Sequence, residues 1–290
     1  MRGNLGRLAG VTVLVASMAA LLGPASAMAT PKGEFAVFAD CPITTANACV
    51  FAKTEGGKFI IGKETVPIEK TITLQGGITQ NEAGELKFVA AKDGNTLSKT
   101  PQKVPGGLAG LVKCNEISNF LERIACELVF ENGVTGVNAT SELAAPASSI
   151  GIDVGNFINQ TGTALSLPLK VHLENPFLGS SCYIGSNASP IVINLTTGTT
   201  SPPLPNKPIS GSRGTLELKG GGEILAFANN SLVNNSFAAP GASGCGGLFE
   251  FLIDPLVNAK LGLPSAAGHN TAVLNGILEQ ASTEAVKASE

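Results

Sequence analysis

Six cysteines behind an export signal constrain this chain more than any other feature. They are Cys41, Cys49, Cys114, Cys126, Cys182 and Cys245. An even count in an exported chain points to disulfides, hence to an oxidising compartment and to distant segments tied together. The signal has three parts. Arg2 and Arg7 form a positive n-region, Leu8 to Leu22 an apolar h-region, and Ala25-Ser26-Ala27 and Ala27-Met28-Ala29 both fit an A-x-A cleavage site. The h-region is short for a bilayer span of roughly 20 residues, and no later segment reads as a membrane helix. No cysteine lies near the cleavage site, so a lipoprotein anchor is not expected. The expected organisation is a signal peptide at 1–27, cleaved near 27–29, and a secreted β-rich region at 28–290. That region reads as one domain, with 93–110 as the alternative boundary. The expected location is extracellular or in the cell envelope.

Charge narrows the partners. With Arg2 and Arg7 set aside, the 22 acidic residues exceed the basic ones. Only Arg123 and Arg213 then remain as arginines. Such a chain has no footprint for nucleic acid or for anionic lipid. Gly, Pro, Thr, Ser and Asn are abundant and charge is sparse, which suits short strands joined by many turns.

The hydropathy pattern agrees. Phe35–Ala39, Ala48–Lys53, Lys58–Ile61 and Leu86–Ala90 read as short strands. Val66, Ile68, Ile72 and Leu74 alternate with polar residues as one strand closed by Gly76-Gly77. The clearest strand alternates Leu165, Leu167, Leu169, Val171 and Leu173 with polar positions. Pro168 within it argues for an edge or a bulge. Ile191–Thr196 is another strand, and Thr215–Lys219 with Glu223–Ala228 flank three glycines as a hairpin. Ser201–Pro208 holds four prolines and reads as a stiff extended loop. Two segments have helical spacing. One is 117–130, with Ile117, Phe120, Leu121, Ile124 and Leu128 on one face. The other is 271–287, with Val273, Leu274, Ile277, Leu278 and Ala281 on one side. The expected fold is mainly β: an antiparallel β-sandwich or barrel-like domain with these two helices at its periphery.

Nearest-neighbour pairing suggests Cys41–Cys49 and Cys114–Cys126, leaving Cys182–Cys245 by exclusion. This is one of 15 schemes that six cysteines allow. Cys126 lies opposite the apolar face of its helix, where a bonded cysteine is easier to explain than a free thiol. A continuous helix from 114 to 126 would hold the two about 18 Å apart, so the pairing requires the helix to begin after Cys114.

Catalytic chemistry finds few footholds. His172 sits on the polar side of a strand and reads as a solvated residue, and His269 sits in a turn. Gly241-Ala242-Ser243-Gly244-Cys245 approaches a nucleophile elbow but ends in cysteine and lacks the strand-to-helix setting. It reads as a turn presenting Cys245 to a disulfide. There is no C-x-x-C, H-E-x-x-H, EF-hand loop, Walker motif or dinucleotide fingerprint. Asp40, Asp93, Asp153 and Asp254 are the aspartates; a calcium site near Asp153 has no specific support. No catalytic, cofactor-binding or metal residue is assigned, and no cofactor is expected. Scattered glutamates leave carboxylate-pair catalysis open. Asn-x-Ser/Thr sequons begin at Asn138, Asn159, Asn187, Asn194, Asn229 and Asn234, and matter only in a host that glycosylates exports. A β-barrel pore is disfavoured by the absence of Trp and the lone Tyr183.

Leu173-Glu-Asn-Pro-Phe-Leu-Gly-Ser-Ser-Cys-Tyr-Ile-Gly-Ser186, Asn194-Leu-Thr-Thr-Gly-Thr-Thr-Ser-Pro-Pro203 and Gly262-Leu-Pro-Ser-Ala-Ala-Gly268 together resemble a group of uncharacterised secreted proteins of high-GC Gram-positive bacteria (actinobacteria). The resemblance runs through most of the mature chain. It implies an extracytoplasmic bacterial protein and carries no activity. The expected function is therefore a secreted or envelope-associated, disulfide-stabilised binding or structural protein without a catalytic centre. The alternatives are a secreted hydrolase using a glutamate pair, or a carrier of an apolar ligand. A pocket with two carboxyls about 5–10 Å apart would favour the first. A closed apolar cavity of several hundred Å³ would favour the second.

Overall fold

A computed structural model describes residues 30–82, 84–107, 118–121, 123–124 and 136–290. The expected signal peptide, Cys114, Cys126 and more than half of the 117–130 segment lie outside the described residues. Within that segment Phe120, Leu121, Arg123 and Ile124 are helical.

The described chain is mainly β. In order it forms β1 (Ala48–Ile61), β2 (Glu64–Pro67), β3 (Ile72–Gln80), β4 (Leu86–Ala90), β5 (Gln102–Lys103), β6 (Asn138–Leu143) and β7 (Gly151–Ile152). Then come α1 (Val154–Asn159), β8 (Leu165–Glu174), β9 (Tyr183–Ile184), β10 (Ile191–Leu195), β11 (Thr215–Lys219), β12 (Ile224–Asn234), β13 (Ala242–Ser243), α2 (Glu250–Leu261), β14 (Thr271–Ser282) and α3 (Thr283–Ala288). Two seven-stranded antiparallel sheets result, and they do not close into a barrel. The first runs β11-β12-β14-β1-β3-β4, with β2 also on β1. The second runs β13-β9-β8-β6-β5, with β7 and β10 also on β8. A single apolar cluster joins them, taking Ile72, Leu74 and Ala272 from the first sheet and Leu167, Leu169, Val171, Leu173 and Ile193 from the second. This is the face-to-face packing that alternating strands require.

β8 organises the second sheet. Its odd residues face the core and its even residues face outward, as the alternation predicts. Pro168 is not at an edge. β10 pairs with Leu165–Leu169 on one side, while on the other β6 ends at Leu169 and β7 takes up Leu165 and Ser166. Pro168 falls where β6 hands over to β7, and its carbonyl still accepts from the Ala144 N–H at 2.9 Å. Pro168 therefore keeps its acceptor bond to Ala144 and forgoes only the donor half of that pair.

The first sheet departs further from its sequence pattern. Residues 271–282 form a strand, not a helix; the C-terminal helix is only α3, capped by the Ser282 hydroxyl accepting from the Ala285 N–H. β14 lies between β1 and β12; its inner face packs on the other sheet, and its outer face is covered toward Ala281. Ala272, Leu274 and Leu278 face the other sheet. Ala281 packs outward against Phe35, Phe38, Cys41, Cys49 and Val286. Apolar residues on both faces of a strand give doublets that imitate helical spacing.

Phe35–Ala39 is not a strand either: Gly33–Phe38 is a 3₁₀ helix that buries Phe35 and Phe38, three apart, on one side. The single strand expected over 66–74 is broken into β2 and β3. Between them the buried Gln102 side chain replaces a neighbouring strand, accepting from the N–H groups of Glu69 and Lys70 and donating to the Lys70 carbonyl. Gly76 and Gly77 do not close a strand but lie inside β3. The Thr215–Lys219 hairpin forms as expected.

Among the described residues two disulfides are present, Cys41–Cys49 and Cys182–Cys245, as expected. The second joins the segment after β8 to the turn after β13, and Asp254 of α2 holds that turn by accepting from the N–H groups of Gly244 and Cys245. Among the described residues no helix is long and apolar enough to cross a membrane.

Candidate functional site: a groove at a doubly bulged strand

The most irregular place in the molecule is the middle of β14. On one side β1 inserts Glu55 between the pairs Thr54–Gly276 and Gly56–Asn275. On the other side β12 inserts a residue between Phe227–Leu278 and Asn230–Gly276. Asn229 there takes a left-handed φ of 55°. Each bulge bends its strand and re-aims side chains. Here both flank the same residue, Gly276. The strands approach so closely that a Cβ on Gly276 would overlap the Lys53 carbonyl oxygen, and one on Gly57 would overlap that of Val273. Only glycine allows this crossing.

The bent outer face forms an open groove of about 650 Å³, within the usual range for small-molecule sites. Lys53, Glu55, Asn229, Ser231 and Asn275 line it, with Phe51 and Ile277 supplying apolar surface. The Ser231 hydroxyl bonds the Asn275 side-chain oxygen at 2.8 Å. The Lys53 ammonium lies 5.9 Å from the centre of the Phe51 ring. Glu279 also lines the groove and is buried, yet it is not unpaired. The Lys219 ammonium donates to its Oε1 at 2.6 Å. That bond is the main cause holding the Lys219 pKa above its ordinary value. Asn230 turns inward and donates to the Phe227 carbonyl, closing the bulge from within.

The residues weighed in the sequence are scattered elsewhere. His172 is half-buried, not solvated: it lies on the outer face of the second sheet, stacked on Tyr183 with ring centres 4.5 Å apart. Its Nδ1 is 3.5 Å from Glu174, and its Nε2 is buried without a hydrogen-bond partner. Burial first, then the charges of Glu142 and Glu174, push the Tyr183 pKa up. His269 sits in an exposed turn. Ser243 lies exposed on β13. The aspartates serve local structure: Asp153 caps α1, Asp93 accepts from the Asn95 N–H, and Asp254 holds the Cys245 turn. Of the sequon asparagines, Asn234 is buried and donates to the Asn194 carbonyl. No group of three metal-ligating side chains comes together among the described residues.

Between the sheets lie a cavity of about 100 Å³ and a neighbour of about 40 Å³. No family model, curated protein or solved structure matches the chain.

The sequence reading missed the groove because its walls come from residues about 175 and 220 positions apart, joined only by long-range pairing. The one local signal is glycine, at Gly56-Gly57 between two segments that read as strands and at Gly276 within the segment that reads as a helix; inside a strand such glycines mark a bulge or a close backbone approach.

Proposed function

We propose that this is a secreted or envelope-associated actinobacterial binding protein, stabilised by disulfides, that takes a neutral, hydroxyl-rich chain in the β14 groove. One observation carries the reading: two bulges on opposite neighbours of β14 open a groove in mid-sheet. Its lining matches the ligand class. Side-chain amides of Asn229 and Asn275 both donate and accept, as a hydroxyl partner requires. Lys53 with Glu55, and Lys219 with Glu279, leave the groove without net charge. Phe51 gives a sugar ring an apolar face to rest on. The export signal and the resemblance of Leu173–Ser186 to secreted actinobacterial proteins support the location. Calorimetric titration with soluble envelope glycans is the test. Asn275→Ala is expected to weaken binding by about tenfold, the effect of roughly 1.4 kcal/mol. Absence of saturable binding, or equal binding by Asn275→Ala, overturns the proposal.

A hydrolase is the second reading, because Glu55 and Glu279 share the groove. Glu279 pairs with Phe51 in the ladder, so Glu55 stands about 13 Å further along the strand. The side chains would have to lean together to reach catalytic spacing, and Lys219 already holds Glu279. Release of reducing sugar by the wild type, lost in both Glu55→Gln and Glu279→Gln, would favour it over simple binding.

A further inference from the structure

We propose that the space between the sheets is a binding slot for one unbranched alkyl chain, a site independent of the outer groove. The larger cavity is walled by Ala52, Leu74, Leu167, Ile193, Leu232 and Leu278, among others. The smaller is walled by Ile61, Val66, Val171, Leu173 and Ile184. They lie end to end along the same strands. On β8, Leu165, Leu167 and Leu169 wall the first, and Val171 and Leu173 wall the second. On β1, Ala52 and Thr54 wall the first and Ile61 the second. Phe59 and Ser141 wall both, so the Phe59 ring is the partition.

Protein cores pack like organic crystals and leave few voids larger than a water. Two voids in one row are therefore a feature of shape. The residues that wall the two voids run from Leu165 to Leu173 on β8, about 26 Å of strand. The larger cavity, about 100 Å³, is the part open at rest; rotation of Phe59 would join it to the second. That room falls short of the several hundred Å³ of a carrier's cavity and suits a single chain, not a fused ring system. The walls give water few polar partners. Asp153 and Gln280 line the wall of the larger cavity and give a head group contacts. At the other end, Ile61, Val66, Val104, Leu173 and Ile184 wall the smaller cavity, with Glu64 and Ser141 as the polar residues of its lining.

The experiment is calorimetric titration of the mature protein with n-alkanols from butanol to decanol. Affinity is expected to rise about fourfold per methylene and then level off once the slot is full. Ala52→Leu, which fills the larger cavity, should weaken every chain length by at least about tenfold. Phe59→Ala, which removes the partition, should move the plateau to longer chains. Asn275→Ala should bind alkanols as the wild type does, which separates this site from the groove. No saturable binding, or Ala52→Leu binding like the wild type, overturns the proposal. Should Ala52→Leu fail to fold, the wild type alone decides: affinity that climbs with length and never levels off means surface partitioning, and the slot is rejected.

Discussion

The two sheets have equal strand numbers but opposite outer faces. The second is regular. Its ladders around β8 show no register shift, and on its outer face Glu142 pairs with Lys170 and with the nearby Lys99, while His172 lies 3.5 Å from Glu174. The first is bent by bulges on both neighbours of β14, and its outward polar groups are gathered around a groove. A flat, self-neutralised face has little left to offer a ligand. A creased one presents amides and charges at several angles. The contrast supports the proposal that recognition belongs to the irregular sheet and support to the regular one.

Removing each disulfide tests that division most severely. Cys182–Cys245 closes 63 residues of chain around the second sheet, and Cys41–Cys49 closes 8 at the start of the first. On the chain-entropy account their loss costs about 4 and about 2.5 kcal/mol. Urea unfolding of Cys182→Ala/Cys245→Ala and Cys41→Ala/Cys49→Ala double variants should rank in that order. The reverse order would make the bent sheet the one that limits stability.

The crease itself comes next. Gly276→Ala sets a Cβ against the Lys53 carbonyl and should destabilise by about 2–3 kcal/mol, the usual range for overpacking. It should also abolish groove binding. Gly56→Ala is the control one residue away from that crossing, where a Cβ meets nothing within 4 Å; it should stay within about 0.5 kcal/mol. Equal effects would mean that the two strands do not cross as closely as placed.

The floor of the groove gives a smaller effect with a pH signature. The Lys219 pKa is raised in the folded state. Its pairing with Glu279 therefore contributes fully below the unfolded lysine value of about 10.4, and is lost as pH rises through the folded value. Lys219→Met should flatten this alkaline decline. Near neutral pH it should destabilise by about 1–2 kcal/mol, below the full range for a broken buried pair because Lys219 is partly solvated. Thermal unfolding from pH 8 to 11 reads both effects. An unchanged alkaline slope would remove the pair from the account.

The same contrast explains what could be read from the residues alone. β8 and β10 bury one face each, so period two survived and Leu165–Leu173 was legible. β14 carries apolar residues on both faces, so Val273, Leu274, Ile277 and Leu278 imitate a helix. The break between β2 and β3 depends on Gln102, some 30 residues away, and no local pattern carries it. The groove follows the same logic. Its glycines are visible in the sequence, but the pairing that brings Lys53, Asn229 and Asn275 together is not. The cysteine pairs were more accessible, since Cys41 and Cys49 are near neighbours and loop length favours their meeting.

Pro168 supplies the mildest test, aimed at the regular sheet. Its carbonyl already accepts from Ala144, and the register that pairs Leu143 with Leu169 puts Ala144 opposite it. A residue with an N–H at this position could complete that pair by donating to the Ala144 carbonyl. Pro168→Val should therefore gain about 1 kcal/mol from a new backbone bond and lose roughly as much through a more flexible unfolded chain. The net change in stability should be near zero. Hydrogen exchange carries the discrimination: the amide that the substitution introduces should be as protected as those of Leu167 and Leu169. Rapid exchange there would mean that β8 is bare on that side, and the second sheet would lose the unbroken order that sets it apart from the first.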